Sequence, residues 1–338
     1  MNPTTVRQLI IGFAMIVQSV SIPVDAAPRI FKRRPPAPEL SPKIINDPAT
    51  AGFLEKGSRG VAVLRAAILL ERAHFSSGEM DAIYGINLAK AVAAYQKANS
   101  IPVTGEIDAD TWALLNRDTA DPVVMYTVTS ADVADEYVKI PTRMMAKSKL
   151  EKLGYRSPAE QFGERFRVSP DLLVRLNPGK NLRKEGTEIV VPNVAEVVAP
   201  GKAAYVVVDK SDLALTAYDA GDMILAHYPA TIGSKHDPLP IGTWKINGVA
   251  RNPIYNYNPR LFWDAEEGDR KAKIAAGPNN PVGAVWIDLS KEHYGIHGTP
   301  EPSTIGKSYS HGCIRLTNWS ALELAGMVSP GVKVILQE

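Results

Sequence analysis

Residues 294–299 read Tyr-Gly-Ile-His-Gly-Thr, and residues 310–316 read Ser-His-Gly-Cys-Ile-Arg-Leu. Cys313, in the second stretch, is the only cysteine of the chain, so it cannot form an intrachain disulfide. A thiol becomes a strong nucleophile when a neighbouring imidazole helps to remove its proton. The two stretches therefore indicate a cysteine nucleophile, with His297 and His311 as the candidates for its base.

The two histidines differ in how the chain presents them to the sulfur. In an extended segment His311 and Cys313 would share one face, whereas a tight turn at Gly312 would separate them. His297 stands on a neighbouring strand end and can face the sulfur across the sheet, so both histidines remain candidates for the base. The carbonyl of Gly298 can hold the other ring nitrogen of His297 and set its tautomer.

Backbone and charged groups near the thiol have predicted roles of their own. A tetrahedral intermediate needs converging N–H donors, and the amides of Gly312 and Cys313 are the natural ones. Arg315 is a fixed cation two residues after the nucleophile and suits a substrate carboxylate, the alternative being an ordinary surface arginine. Ser310 opens the same motif and completes the set of supporting residues.

The surrounding sequence, residues 203–338, predicts a mostly-β domain. Short apolar runs with tight turns between them are typical of a sandwich or barrel. We predict an amphipathic helix over 318–328 and a closing strand over 332–336. The predicted buried stripe of that helix consists of Ala321, Leu322, Leu324, Ala325 and Val328.

Taken together, these residues resemble the L,D-transpeptidase catalytic domain, whose signature is His, a spacer, then Ser/Thr-His-Gly-Cys, an apolar residue and Asn or Arg. The accompanying features are Gly233, Pro240-x-Gly242-Thr243-Trp244 and Pro281-x-Gly283-x-x-Trp286.

The resemblance implies attack on the L,D peptide bond of a peptidoglycan tetrapeptide stem, giving an acyl-enzyme that an amine resolves. It also implies that His297 is the base, that His311 is mainly structural or electrostatic, and that carbapenems acylate the thiol better than penicillins do. Arg315 stands where many members have Asn.

Residues 51–118 carry a helical period, with Val61, Leu64 and Ile68 on one face. A second and a third helix follow, the third with Asp108 and Asp110 as cap candidates. The three-helix module resembles the peptidoglycan-binding module of cell-wall hydrolases, and a helical spacer without a ligand is the alternative. The resemblance rests on Gly57, Gly60, Val63-Leu64, Asp81-Ala82-Ile83-Tyr84-Gly85, Ala91-Val92, Tyr95-Gln96, Thr104-Gly105 and Thr111-Trp112.

Residues 121–199 predict strand, helix, helix and strand, closing on Glu188-Ile189-Val190-Val191-Pro192. This order resembles a LysM glycan-binding module, interrupted by a long insertion around 130–155. A purely structural neck domain is the alternative. The predicted fold class is thus multidomain, with two small modules before the mostly-β catalytic domain.

The N-terminal residues indicate export. Residues 1–26 combine an early positive charge, a short apolar run and small residues, as a signal peptide does. A retained membrane anchor is the alternative, although the apolar run is shorter than a spanning helix needs. Residues 27–50, rich in proline and basic residues, predict an extended, solvated linker. We therefore expect a periplasmic, cell-wall-associated protein that retains no membrane span after signal cleavage.

The composition limits the classes of molecule that the protein is expected to bind. A net charge of +2 over 338 residues argues against a nucleic-acid binder. We expect peptidoglycan stem peptides and glycan as partners and no cofactor, and the sequence does not decide the oligomeric state.

Three alternatives to transfer remain open on the sequence. One is a metal site built from His293, His297, His311 and Cys313. Another is a catalytically idle cell-wall anchor. The third is hydrolysis, with water as the acceptor instead of an amine, which the same residues would serve.

Overall fold

The structure is a computed structural model that describes residues 40–134, 136–194 and 198–338. The predicted signal peptide and residues 27–39 of the predicted linker lie outside the described residues. The two predicted modules and the predicted catalytic domain lie within them, apart from Asp135 and residues 195–197.

The part of the chain before residue 203 is mostly helical, and the part after it is mostly β. The helices are α1 (Pro42–Asn46), α2 (Val61–Arg72), α3 (Ile86–Ala98), α4 (Ala109–Leu115), α5 (Ser130–Val133), α6 (Met144–Lys147), α7 (Pro158–Arg165), α8 (Pro170–Leu176) and α9 (Asn318–Met327), with 3-10 turns at Pro259–Leu261 and Pro302–Thr304. The strands are β1 (Val123–Thr127), β2 (Glu188–Pro192), β3 (Tyr205–Asp209), β4 (Ala214–Tyr218), β5 (Ile224–Pro229), β6 (Thr231–Ile232), β7 (Gly242–Arg251), β8 (Tyr255–Tyr257), β9 (Ala272–Ile274), β10 (Val285–Leu289), β11 (Gly295–His297), β12 (Ile314–Arg315) and β13 (Lys333–Gln337).

Helix α1 lies where the sequence predicts an extended linker. Ser41 caps the helix by accepting a hydrogen bond from the amide of Ile44. Ile45 is fully buried, and the side chain of Asn46 exchanges two 3.0 Å hydrogen bonds with the backbone of Val123. The prediction of an extended segment is wrong for these residues, because an apolar side chain and an amide side chain tie them to the folded protein.

Helices α2, α3 and α4 form the helical module, and the predicted apolar faces are buried. Asp108 caps α4 by accepting a 2.9 Å hydrogen bond from the amide of Thr111. The indole of Trp112 donates a 2.7 Å hydrogen bond to the carbonyl of Gly52. The core of this module continues without a break into the middle module, where Phe162 and Val191 belong to the same cluster.

The middle module has the predicted order of strand, helix, helix and strand. Strands β1 and β2 pair antiparallel, with Val123 opposite Pro192 and Thr127 opposite Glu188. Helices α7 and α8 lie between these two strands in the chain. The predicted insertion contains the short helices α5 and α6. Its membership of the LysM family stays a prediction.

Within residues 203–338 nine of the strands form one sheet, and β8 and β9 pair as a separate two-stranded sheet. The order of the nine-stranded sheet is β5-β4-β3-β13-β7-β10-β11-β12-β6. The two outermost strands, β5 and β6, are separated in the chain by Ala230 alone. The sheet must therefore curl round until its two ends meet, which gives the predicted mostly-β, barrel-like domain.

Helix α9 packs its apolar side against the curled sheet. Ala321, Leu324, Ala325 and Val328 are buried there, as the sequence predicts. Leu322 is 36% exposed, so its assignment to the buried stripe is wrong. The helix ends at Met327, which is itself buried.

A buried cation joins the three parts of the molecule. Arg167, in the turn before α8, places Nη1 2.9 Å from Glu71 Oε1 of α2 and 3.3 Å from Glu323 Oε2 of α9. The other oxygen of Glu323, Oε1, lies 2.7 Å from His74 Nδ1. Because buried carboxylates are costly without a cation, this contact couples the folding of all three parts.

We predict that Arg167→Met destabilises the protein by about 3–5 kcal/mol, since it leaves buried Glu71 without its cation and buried Glu323 with His74 alone. The measurement is urea unfolding followed by fluorescence. Arg156→Met is the matched control, because it removes an exposed pair with Glu301 and should cost less than about 1 kcal/mol. Similar costs for the two variants would contradict the role given to Arg167.

Candidate active site

The pairing of two short strands places the candidate catalytic side chains on one face. Strands β11 and β12 are parallel, with Ile296 opposite Ile314 and His297 opposite Arg315. Because side chains alternate along a strand, the two isoleucines point into the core, where both are fully buried. His297, Cys313 and Arg315 all line a single cavity on the other face.

The imidazole of His297 is held on two sides. Its Nδ1 lies 2.7 Å from the carbonyl oxygen of Gly298, which can only accept, so Nδ1 carries the proton and Nε2 is left to act as a base. The indole of Trp286, opposite His297 on β10, stacks on the ring with centroids 5.5 Å apart.

Gly295 makes room for this stack, because a Cβ there would come within 2.5 Å of the indole. Burial, reinforced by the charge of Arg315 and opposed by the Gly298 contact, lowers the pKa of His297 to about 3. The ring is therefore neutral in the neutral pH range.

The thiol of Cys313 is half-buried at the start of β12. Burial raises the pKa of the thiol, while a hydrogen bond from the Gly295 amide and the charge of Arg315 act in the opposite direction. The hydroxyl of Ser310 donates a 2.5 Å hydrogen bond to the Cys313 carbonyl and so closes the turn that presents the sulfur. The thiol also lies 3.7 Å from the carbonyl oxygen of His293, to which it can donate. Burial thus favours the uncharged forms of both the Cys313 thiol and the His297 imidazole.

Gly312 has a conformation that other residues rarely adopt, with φ of +98°. The ring of Tyr294 lies against its Cα, and a Cβ at this position would come within 2.7 Å of Tyr294 Cε1. This turn is what separates the side chains of His311 and Cys313.

His311 is directed towards a different group from the thiol. We call residues 253–280, between β7 and β10, the flap; it contains β8 and β9. His311 Nε2 lies 2.9 Å from Asp264 Oδ1 of the flap, and its ring meets Phe262 edge-on at 5.2 Å. The structure therefore gives His311 a place in holding the flap to the catalytic turn.

Arg315 is half-buried, and its guanidinium lines the cavity. Burial lowers the pKa of Arg315, while the nearby thiol, Tyr255 and Asp264 raise it. Across residues 40–134, 136–194 and 198–338, no carboxylate forms an ion pair with it. A cation without an internal partner is suited to an anionic group of a ligand.

The cavity that these residues line has a volume of about 660 Å³. Trp286, His297, Cys313 and Arg315 line it, and the flap contributes a wall with Tyr255 and Phe262 among others. This is ample space for a peptide segment.

Asn318, at the start of α9, has a place at the site that the sequence did not indicate. Its Oδ1 accepts a 3.0 Å hydrogen bond from the Ala284 amide, and a Cβ on Gly298 would come within 2.1 Å of that oxygen. Its Nδ2 donates a 2.9 Å hydrogen bond to Glu164 of α7. Asn318 therefore supports the Gly298 segment from behind.

The sequence also missed Trp286 and Asp264. Trp286 belongs to one of the quoted motifs but had no role assigned to it, and Asp264 lies in a loop with no motif. Only its spacing to the histidine across a strand pair could have suggested a place for Trp286.

Neither a metal centre nor a membrane span is found in the described part of the chain. No group of three or more His, Cys, Asp and Glu side chains there is arranged to hold a metal ion. His293, one of the ligands considered from the sequence, is 59% exposed on a turn and lies 3.4 Å from Glu292. No described helix is both long and apolar enough to cross a bilayer.

Comparison with known proteins assigns two regions of the chain to known domain families. Residues 203–336 match the L,D-transpeptidase catalytic domain, and residues 59–115 match the family described as "Putative peptidoglycan binding domain". The chain is 33% identical over 178 residues to the "Putative L,D-transpeptidase YkuD" of Bacillus licheniformis, covering 52% of this chain and 90% of that protein. It is 30% identical over 172 residues to the protein of the same description in Bacillus subtilis, covering 51% of this chain and 88% of that protein.

The chain belongs to the L,D-transpeptidase family. It is therefore a peptidoglycan enzyme in which a helical binding module precedes a mostly-β catalytic domain. A solved L,D-transpeptidase of Mycobacterium smegmatis is also similar, at 18% identity and a TM-score of 0.33, over 47% of this chain and 76% of that one.

We predict that alkylation of Cys313 by iodoacetamide becomes faster as the pH rises, with a midpoint above the ordinary cysteine value. The thiol must lose its proton to react, and burial raises its pKa. His297, with a pKa of about 3, does not change its charge across the neutral and alkaline range. The measurement is the rate of adduct formation by intact mass, which is specific because the chain has a single cysteine.

Arg315→Gln should move this profile to higher pH, because it removes a cation that lowers the thiol pKa, whereas Arg315→Lys should change it less. A rate that does not change between mildly acidic and mildly alkaline pH would show that a thiolate–imidazolium pair already exists.

Proposed function

We propose that this protein is a peptidoglycan L,D-transpeptidase in which Cys313 is the nucleophile and His297 the base. The observation that carries the proposal is the parallel register of β11 and β12, which brings a thiol, an imidazole and a guanidinium to one face of one cavity. The family membership supplies the reaction class. The roles of the individual residues are inferred from their geometry.

The first half of the reaction forms the acyl-enzyme. His297 Nε2 takes the proton of the thiol as Sγ attacks the carbonyl carbon of the L,D peptide bond in a tetrapeptide stem. The amides of Gly312 and Cys313 are the proposed donors to the oxyanion. The carbon–nitrogen bond then breaks, and the imidazolium returns the proton to the leaving amine, which leaves a thioester on Cys313.

The second half transfers the acyl group to an acceptor. His297 accepts a proton from the amine of another stem as that amine attacks the thioester carbonyl. The new amide forms, and the thiol leaves with its proton restored by His297. With water in place of the amine, the same groups would give hydrolysis.

Arg315 is proposed to bind a carboxylate of the stem. Its side chain lines the same cavity as the thiol, and its charge has no carboxylate partner in the described residues. Gly298, Ser310 and His311 act indirectly: the first fixes the imidazole tautomer, the second closes the nucleophile turn, and the third holds the flap.

The other modules are proposed to bring the enzyme to its polymer. The helical module, residues 51–118, would bind peptidoglycan, and the middle module, residues 121–199, would contact glycan as a LysM module does. Because peptidoglycan lies outside the cytoplasmic membrane, the enzyme acts outside the cytoplasm. The export signal proposed at residues 1–26 would bring it to the periplasm.

The central test uses purified full chain, defined muropeptides and product identification by mass spectrometry. We expect cross-linked or exchanged products from the wild type and none from Cys313→Ala, because a methyl group cannot attack. Turnover that survives in Cys313→Ala would refute the assignment. Free tripeptide stems as the main product would replace transfer by hydrolysis.

The two histidines are distinguished by a paired comparison. His297→Ala should slow acylation by about 100-fold or more, since general-base catalysis is worth that much. His311→Ala loosens the flap and should cost much less. Thermal unfolding serves as the folding control, and equal losses in two well-folded variants would break the distinction.

A carbapenem provides a second readout of the nucleophile, because this class acylates the family. Intact mass should show one stable carbapenem adduct on the wild type, little ampicillin adduct, and neither on Cys313→Ala. A carbapenem adduct that persists in Cys313→Ala would place the reactive group elsewhere.

A further inference from the structure

The insertion of the middle module reaches across to the catalytic domain. The amide of Leu153 donates a 3.1 Å hydrogen bond to Ala276 of the flap, and the side chain of Asn279 donates a 2.9 Å hydrogen bond to the Gly154 carbonyl. Gly277 lies so close that a Cβ there would come within 2.2 Å of the Leu153 carbonyl oxygen. The insertion is therefore packed on the flap.

The contact has an apolar core of its own, which we call the satellite core. Leu153, Tyr257 and Ile274 are buried together, the first from the insertion and the other two from the flap. Met144 and Met145, at the start of α6, pack against this cluster. Because part of this core comes from another module, the flap depends on the insertion for its support.

The insertion also forms part of the catalytic cavity itself. Thr142, Arg143 and Met144 line the same cavity as Cys313. Arg143 forms an ion pair with Glu266 of the flap, which joins this segment to the rest of the wall. Met145, the next residue, packs against the satellite core but does not line the cavity.

We infer that residues 142–144 of the middle module are a substrate-binding wall of the catalytic cleft, and that Met144 contributes to the binding of the donor stem. The inference rests on the proposed function for the identity of the donor. A wall residue away from the thiol contacts the ground state and the transition state alike. Its loss should therefore raise KM and leave kcat nearly unchanged.

The first experiment measures access to the thiol and does not require turnover. In full-length protein, Thr142→Trp adds an indole to the cavity wall at an exposed position, and Thr119→Trp adds one at an exposed position outside the cavity. Cys313 is labelled with iodoacetamide, which is small, and with N-phenylmaleimide, which carries a ring.

We expect Thr142→Trp to slow the labelling of Cys313 by N-phenylmaleimide about five-fold or more relative to its labelling by iodoacetamide. The added indole takes up space in the cavity that the larger reagent needs. Thr119→Trp should leave the ratio of the two rates unchanged. Equal ratios in the two variants would overturn the placement of this segment on the cavity.

The second experiment measures kinetics with a tetrapeptide-stem donor. Met144→Ala should raise KM for the donor about ten-fold with kcat within about two-fold, as expected for an apolar wall contact. Met145→Ala removes the same side chain from the satellite core and should leave KM unchanged. A matching rise in KM for both variants would overturn the inference, because it would assign the effect to packing alone.

The two experiments separate this inference from the proposed function. If no donor is turned over but Thr142→Trp still slows labelling by N-phenylmaleimide, the proposed reaction is wrong and the placement of residues 142–144 on the cavity is right. If the donor is turned over normally and neither Thr142→Trp nor Met144→Ala has its expected effect, the reaction stands and the wall is wrong.

Discussion

The parallel pairing of β11 with β12 is the constraint on which the active site depends. A slip of one residue in either strand would turn an isoleucine into the cavity and a polar catalytic side chain into the core. Burial of Ile296 and Ile314 opposes such a slip, and the 2.8 Å hydrogen bond from the Leu316 amide to the His297 carbonyl adds a fixed point. Strand registration is therefore what assembles the thiol, imidazole and guanidinium.

The three parts of the molecule are held together as one body between residues 40 and 338. The helical and middle modules share one apolar core, and Arg167 joins both to α9. The bridge between Phe75 and His227 adds backbone contact between the helical module and β5. Such an arrangement differs from domains strung on flexible linkers, because the parts share buried apolar and ionic contacts.

Local sequence patterns predicted much of this fold. The helical faces, the Asp108 cap, the alternation of strands and helices in the middle module and the mostly-β character of the last domain all follow from periodicity and turn chemistry within short windows. The grouping of His297 with Cys313 came from recognising a motif, and in the structure His297 ends β11 while Cys313 directly precedes the neighbouring β12.

What the sequence could not predict depends on contacts between distant residues. Helix α1 forms because Ile45 packs into a core built by residues further along the chain. Leu322 is left partly exposed because the sheet and modules that bury most of α9 do not cover that position. The places of Asn318 and Asp264 are likewise set by tertiary packing. From the sequence, the insertion was only an interruption of the middle module. In the structure it packs on the flap and lines the catalytic cavity.

The protonated state of the resting thiol has a consequence for the lifetime of the enzyme. Oxidation to sulfenic acid and exchange with disulfides both begin from the thiolate, and burial raises the pKa of Cys313, which favours the thiol form. Outside the cytoplasm, where reducing systems are scarce, a permanently ionised nucleophile would be exposed to irreversible damage between turnovers. In the proposed mechanism, transfer of the thiol proton to His297 during attack confines the vulnerable thiolate to the moment of reaction.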